Sequence, residues 1–319
     1  MESPQGGGSV DRGSAQTGDQ WFHLLLAAMA AAVPLLIGTM VVALIAAGWP
    51  AIQRFGARFL ITTTWDPVAS VFGVLPFVYG TVVSSALALL IAVPLGLGVS
   101  IFLSELVPEW LRTPISFLVE LLAAIPSVVI GLWGIFVLVP WVRTTAEPAL
   151  QASLGFLPLF RGPPLGVGLL TAGLILSAMV VPFVVAVSTA VMRAVPTSQR
   201  EAAQALGATR WETTRTAVLP YARSGILGAT FLALARALGE TMAVTMVIGN
   251  VAQIRASLFA PAYTIPAVIA NEFAEATGDL YVAALVYAGL VLFVVTVAVN
   301  ALARLLVNRV VQGPSFIAE

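Results

Sequence analysis

Cysteine and lysine are both missing from this 319-residue chain, and the only histidine is His23. Without cysteine there is no disulfide and no thiol chemistry, and the redox compartment is left undetermined. A lone imidazole with no thiolate beside it argues against a zinc site. The missing lysine excludes more. The nucleotide-gripping loop G-x-x-x-x-G-K-[ST] needs its lysine to reach the phosphates, so if ATP drives this protein, another chain hydrolyses it. There is also no G-x-S-x-G and no H-E-x-x-H, which disfavours a membrane-embedded enzyme.

Charge is equally scarce. Only 9% of residues are charged, 59% are hydrophobic and the mean hydropathy is +0.99. A soluble domain carries roughly 25% charged residues, so the composition is that of an integral membrane protein. Net charge is zero, which leaves no electrostatic footprint for nucleic acid.

Residues 1–20, rich in Gly, Ser and Gln, read as a disordered tail. The apolar run Trp21–Trp49 exceeds the core of a secretory signal and reads as a first transmembrane helix. Length and apolarity place five more spans near Phe77–Ser104, Ile115–Trp141, Leu165–Met192, Ser224–Gly249 and Leu280–Leu306. Pro34, Pro94, Pro126 and Pro182 fall inside spans and read as kinks. The fold class is therefore all-α, with a single transmembrane unit over 21–319. Arginines divide nine to five between the two sets of loops, with Arg236 inside a span. That bias predicts both termini in the cytoplasm. Among the outer segments, Asn250–Asp279 mixes apolar and acidic residues and should hold short helices. No internal repeat joins the first three spans to the last three, which weakens an inverted-repeat transporter.

A 31-residue polar loop, 193–223, carries five of the fifteen arginines. Ser198 and Glu201 have capping-box spacing, so a helix should begin just after Ser198. Gly207 suits the left-handed residue that ends such a helix. Thr209 and Glu212 repeat the box, and Pro220 should limit the second helix. Two short capped helices between spans form an object for a partner to hold.

The fifth span contains Arg236 twelve residues in, about 18 Å along and close to mid-bilayer. Glu240, four residues on, should share its face one turn deeper. A charge at a helix centre costs about 2.5–3.5 kcal/mol on the insertion scale, so both should face the bundle interior or a wet path. They either neutralise each other or serve a path. Arg-then-Glu is the weaker order for an i,i+4 pair, and Glu120 in the third span is a candidate alternative partner. In the functional reading, the Arg236 guanidinium meets an anion and Glu240 sets its position.

The polar loop resembles the EAA loop of permease subunits of binding-protein-dependent ABC importers, EAA-x3-G-x9-I-x-LP. Glu201, Ala202, Ala203, Gly207, Leu219 and Pro220 match at the family spacing, and Ala217 stands at the Ile position. The segment ALARALGETMAVTMVIGN (Ala233–Asn250) is similar to phosphate-importer permeases, closest to the PstC type. LPFVYGT (Leu75–Thr81), AVPLGLGVSIFLSE (Ala92–Glu105), AAIPSVVIGLWG (Ala123–Gly134) and TIPAVIANEF (Thr264–Phe273) agree. The resemblance implies a type I ABC importer transmembrane fold in the bacterial cytoplasmic membrane. It also implies a PstA-type second permease, a PstB-type ATPase dimer that uses ATP and Mg, and a PstS-type extracytoplasmic phosphate-binding protein. The chain itself would bind no cofactor. Phosphate comes from the resemblance alone; residue spacing leaves molybdate or sulfate, or a stand-alone ion-coupled transporter, as alternatives.

Overall fold

The computed structural model describes residues 12–311, with side-chain surroundings for 21–305. Among the described residues six helical stretches are long and apolar enough to cross a membrane: Trp21–Phe55, Leu75–Leu106, Ser127–Leu154, Leu169–Arg193, Arg210–Gly239 and Asp279–Leu305. They are numbered as spans one to six. The number matches the sequence expectation; several boundaries do not.

The first helix runs Arg12–Phe55, so residues 12–20 of the expected disordered tail are helical. Once the apolar span has nucleated a helix, each further residue adds a hydrogen bond at little entropic cost. Residues 1–11 and 312–319 lie outside the described residues. The third span differs most. Helix Glu109–Ala124 stops at Ile125, whose backbone is extended (φ −63°, ψ 127°), and a new helix starts at Ser127. Pro126 is therefore a break and not a kink, as the clash of its ring with a helical preceding residue dictates. Pro34, Pro94 and Pro182 sit inside continuous helices.

A second proline effect recurs. Among the described residues four π turns interrupt or end the spans: Phe102–Leu106, Gly134–Leu138, Val142–Ala146 and Thr214–Val218. Each is closed by an N–H reaching back five residues, from Val107, Val139, Glu147 and Leu219. Each closing residue is followed by a proline: Pro108, Pro140, Pro148 and Pro220. A proline cannot donate to the carbonyl four residues back and its ring collides with it. The widened turn inserts one residue ahead of the proline and removes that collision.

The fourth span is the hub. Leu169, Ile175, Leu176, Val180 and Val184 are all at most 1% exposed, packed between the second and fifth spans. Small residues permit the close approach. A Cβ on Gly96 would meet Val184, and one on Gly173 would meet Leu87. The first span packs against the sixth, where Gly48 lies over the Tyr287 backbone. Its apolar side chains from Trp21 to Met40 face outward, as lipid allows, whereas Ala51 is buried.

At one end a small hairpin, β1 (Trp65–Asp66) with β2 (Val71–Phe72), pairs Trp65 with Phe72. It covers helix Ile265–Glu272, the short helix expected in the 250–279 segment. The Glu272 carboxylate fastens these parts: Oε2 accepts from Trp65 Nε1 at 2.8 Å and from the Tyr281 hydroxyl at 2.6 Å. Nearby, Tyr263 accepts from Asn271 at 2.9 Å. Burial above all, reinforced by the Glu272 and Glu275 charges, pushes the Tyr263 phenol up to about 12. It stays neutral. On the other side, Gly80 of the second span lies against the Tyr263 carbonyl, and Thr81 accepts the Ile265 N–H at 2.9 Å.

Candidate coupling loop and translocation site

At the opposite end of the fourth span, the 193–223 loop folds into the two expected short helices. The first, Thr197–Ala205, begins two residues earlier than expected. Pro196 is its N-cap, extended at φ −56° and ψ 140°, and no side chain caps it. The Ser198–Glu201 capping box therefore does not form, because Ser198 is already inside the first turn. Pro196, fixed in φ, sets the start instead.

The C-terminal end follows the sequence reading. Gly207 has φ +86°; its N–H donates to Gln204 O at 2.9 Å and the Ala208 N–H to Ala203 O at 3.2 Å. These are the two bonds of a Schellman closure. Thr209 and Glu212 then form a complete capping box: the Glu212 carboxylate accepts the Thr209 N–H at 2.8 Å, and Thr209 Oγ1 accepts the Glu212 N–H at 3.3 Å.

Pro220 does not end the second helix. Helix Arg210–Thr213 passes through the π turn Thr214–Val218 into Leu219–Gly239, so the loop's second helix is the beginning of the fifth span. This has a mechanical consequence: a force on Arg210–Thr213 acts on the span without an intervening hinge loop.

The motif residues distribute over two faces. Glu201, Ala202, Gly207 and Pro220 are exposed, Ala203 and Leu219 are half-buried, and Val218 and Ala222 are buried. Three large apolar side chains stand outward from this polar region: Leu206 at 90% exposure, Trp211 at 55% and Tyr221 at 56%.

Arg236, expected in the middle of a continuous span, lies in the last turn of Leu219–Gly239, and its surroundings differ from the expected pairing. The helix ends at Gly239; Glu240 is extended (ψ 128°) and a short helix restarts at Met242. Glu240 therefore does not sit one helical turn above Arg236. Its Oε1 accepts the Ala243 N–H at 3.4 Å, at the start of the new helix. Glu120 is not Arg236's partner either. It is exposed on helix Glu109–Ala124, in a groove of about 430 Å³ shared with Arg112 and Arg193. Among the described residues no ion pair joins Arg236 to either acid.

The guanidinium instead lies over the Phe183 ring at 4.2 Å, within cation–π reach. Phe183 is ten residues before the end of the fourth span at Arg193, so Arg236 is near mid-depth of the bundle. Its Nε is buried and finds no acceptor among the described residues. Phe183 escaped the sequence reading because an aromatic residue in an apolar span carries no local signal.

A family model described as the binding-protein-dependent transport system inner membrane component matches residues 92–312. The chain belongs to this family. It is a multi-pass permease subunit of an ABC transporter, in the bacterial inner membrane. Among curated relatives of this permease, the phosphate transport system permease protein PstC of Mesorhizobium japonicum is 50% identical over 296 residues, 92% of this chain and 90% of that one. PstC of Haemophilus influenzae is 45% identical over 295 residues, 91% of this chain and 93% of that one. A solved bacterial ABC transporter involved in the import of the acidic polysaccharide alginate shares the permease's fold. Its TM-score is 0.53 and its identity 18%, over 91% of this chain and 98% of that chain.

Proposed function

We propose that this chain is a non-catalytic permease subunit of an ATP-driven phosphate importer. The observation that carries the reading is its 50% identity to a PstC phosphate permease over 92% of its length. In this reading both termini and the 193–223 loop are cytoplasmic. Glu201, Ala202, Ala203 and Gly207, with the exposed Leu206 and Trp211, dock on a separate PstB-type ATPase dimer, which uses ATP and Mg. The chain itself binds no cofactor. A PstA-type permease completes the path and a PstS-type binding protein delivers phosphate from outside.

Arg236 supplies the anion chemistry. A buried donor without an acceptor costs roughly 1–3 kcal/mol, and a phosphate oxygen crossing at mid-depth is an acceptor of matching charge. Phe183 holds the guanidinium by its face, which leaves the N–H edge free to point into the path. Binding there needs to be weak, since a cargo ion must also leave. Closure of the ATPase draws the coupling helix and the continuous fifth span together, exchanging inward for outward access.

The test is phosphate uptake by the reconstituted four-component complex, wild type against Arg236→Gln, with sulfate and molybdate as competitors. Uptake is expected to be lost in the variant at normal membrane abundance, with neither competitor blocking wild-type uptake. Full uptake by Arg236→Gln would refute the pathway role. Competition by sulfate or molybdate would refute phosphate as the selected cargo.

A further inference from the structure

The residue just before the EAA motif is the best-anchored side chain in the coupling loop. Arg200 lies on helix Thr197–Ala205, and its guanidinium grips Glu105 with two bonds: Nη2 to Oε1 at 3.0 Å and Nε to Oε2 at 3.3 Å. Nη1 also donates to Val195 O at 2.6 Å, and Nη2 to Met192 O at 2.8 Å. The two side chains are only 20% and 11% exposed. One fork thus joins the coupling helix and the end of the fourth span to the π turn that ends the second span, 95 residues away from Arg200 in sequence.

The surroundings make this junction stiff. Below it, Met192, Val195, Val218 and Ala222 form a buried knot with Leu97, Ile101 and Leu219, joining the second, fourth and fifth spans. Beside it, Arg112 donates from Nε to Leu103 O at 2.8 Å and from Nη2 to Val107 O at 3.3 Å. It thereby occupies carbonyls left open where the second span ends. Arg200 and Glu201 are neighbours on one helix and so point about 100° apart. Glu201 stays exposed, so one face of the helix is free for a partner while the other is bolted to this chain.

We propose that Arg200, acting through Glu105, is a positioning residue. It makes the coupling helix and the ends of the second and fourth spans one rigid body, so that a displacement of the coupling helix moves both spans. The fifth span needs no such device, being continuous with the loop's second helix. The inference rests on the importer reading above and adds to it the route by which the second and fourth spans are driven. Arginine suits the role because its planar fork reaches a carboxylate and two carbonyls together, which a lysine ammonium cannot reproduce.

The experiment uses the full complex in proteoliposomes and reads phosphate delivered per ATP hydrolysed, alongside co-purification of the ATPase. Arg200→Gln and Glu105→Gln should each lower that ratio roughly tenfold, in the range of energetic coupling between sites, while hydrolysis continues. The Arg200→Gln/Glu105→Gln double variant should be no worse than Arg200→Gln, and Arg200→Lys should fall between. Because the chain has no cysteine, a Glu105→Cys/Arg200→Cys pair can be bridged with a short bifunctional maleimide in a complex whose other subunits are cysteine-free. The bridge should restore the ratio, and it decides the matter even if Arg200→Gln fails to assemble. An unchanged ratio in Arg200→Gln, or a bridged pair that remains uncoupled, would overturn the rigid-body role. A wild-type complex that moves no phosphate would instead overturn the importer reading.

Discussion

Gly207 offers the sharpest test of how the coupling turn works. Its φ of +86° supports the two bonds that close the coupling helix. An L-residue in that region costs about 1–2 kcal/mol, which disfavours the turn by roughly 5- to 30-fold. Sterics add nothing, because a Cβ at this position would meet no atom within 4 Å. The cost is therefore purely conformational, and the substitutions should rank by their tolerance of positive φ. Gly207→Asn should remain near wild type, Gly207→Ala should lose part of the coupling, and Gly207→Val, β-branched and an outlier there, should lose most of it. The assay is phosphate moved per ATP hydrolysed in the reconstituted complex, with a thermal melt confirming intact spans. Valine coupling as well as glycine would show that the turn transmits no motion. Asparagine failing as badly as valine would show that bulk against the partner matters, and backbone geometry does not.

Two further predictions concern the other end of the bundle. Glu272→Gln replaces a charged acceptor of two hydrogen bonds with a neutral one, a loss of about 1–2 kcal/mol. Faster proteolysis of the 65–72 hairpin should report it, and unchanged protection would refute the fastening role. Gly80→Val places a Cβ within about 2.2 Å of the Tyr263 carbonyl oxygen. It should destabilise by roughly 1–3 kcal/mol, whereas Gly98→Ala, with nothing within 4 Å, should be silent; equal melting of the two variants would refute the packing argument.

What the sequence made legible was local or imposed by lipid. Six spans follow from apolar length, because a backbone in hydrocarbon must bond to itself. Gly207 and the Thr209–Glu212 box follow from spacing within one turn. The Ser198 box failed because a stronger local rule, the fixed backbone of Pro196, acted two residues earlier. Pro220 reads as a stop in sequence because the π turn that absorbs it is invisible in residue type alone. Arg200 with Glu105, and Arg236 with Phe183, join residues far apart in sequence, and no periodicity could have paired them.

The break after Arg236 bears on where the cargo passes. The Gly168 N–H donates to Val247 O at 3.1 Å, so the restarted helix Met242–Val247 ends level with the beginning of the fourth span. Arg236 lies over Phe183, near that span's middle. The non-helical residues Glu240 and Thr241 therefore fall between these two levels, inside the depth of the bundle, and both are only half-buried by this chain. Non-helical backbone at that depth cannot face hydrocarbon; it must be covered by protein or line water. A half-buried break four residues beyond an arginine with an unmatched donor satisfies that rule if this face borders a wet path shared with a second permease. The fifth span then joins the machine's two ends in one element. It begins as the loop's second helix at Arg210 and stops being a helix where the anion would cross.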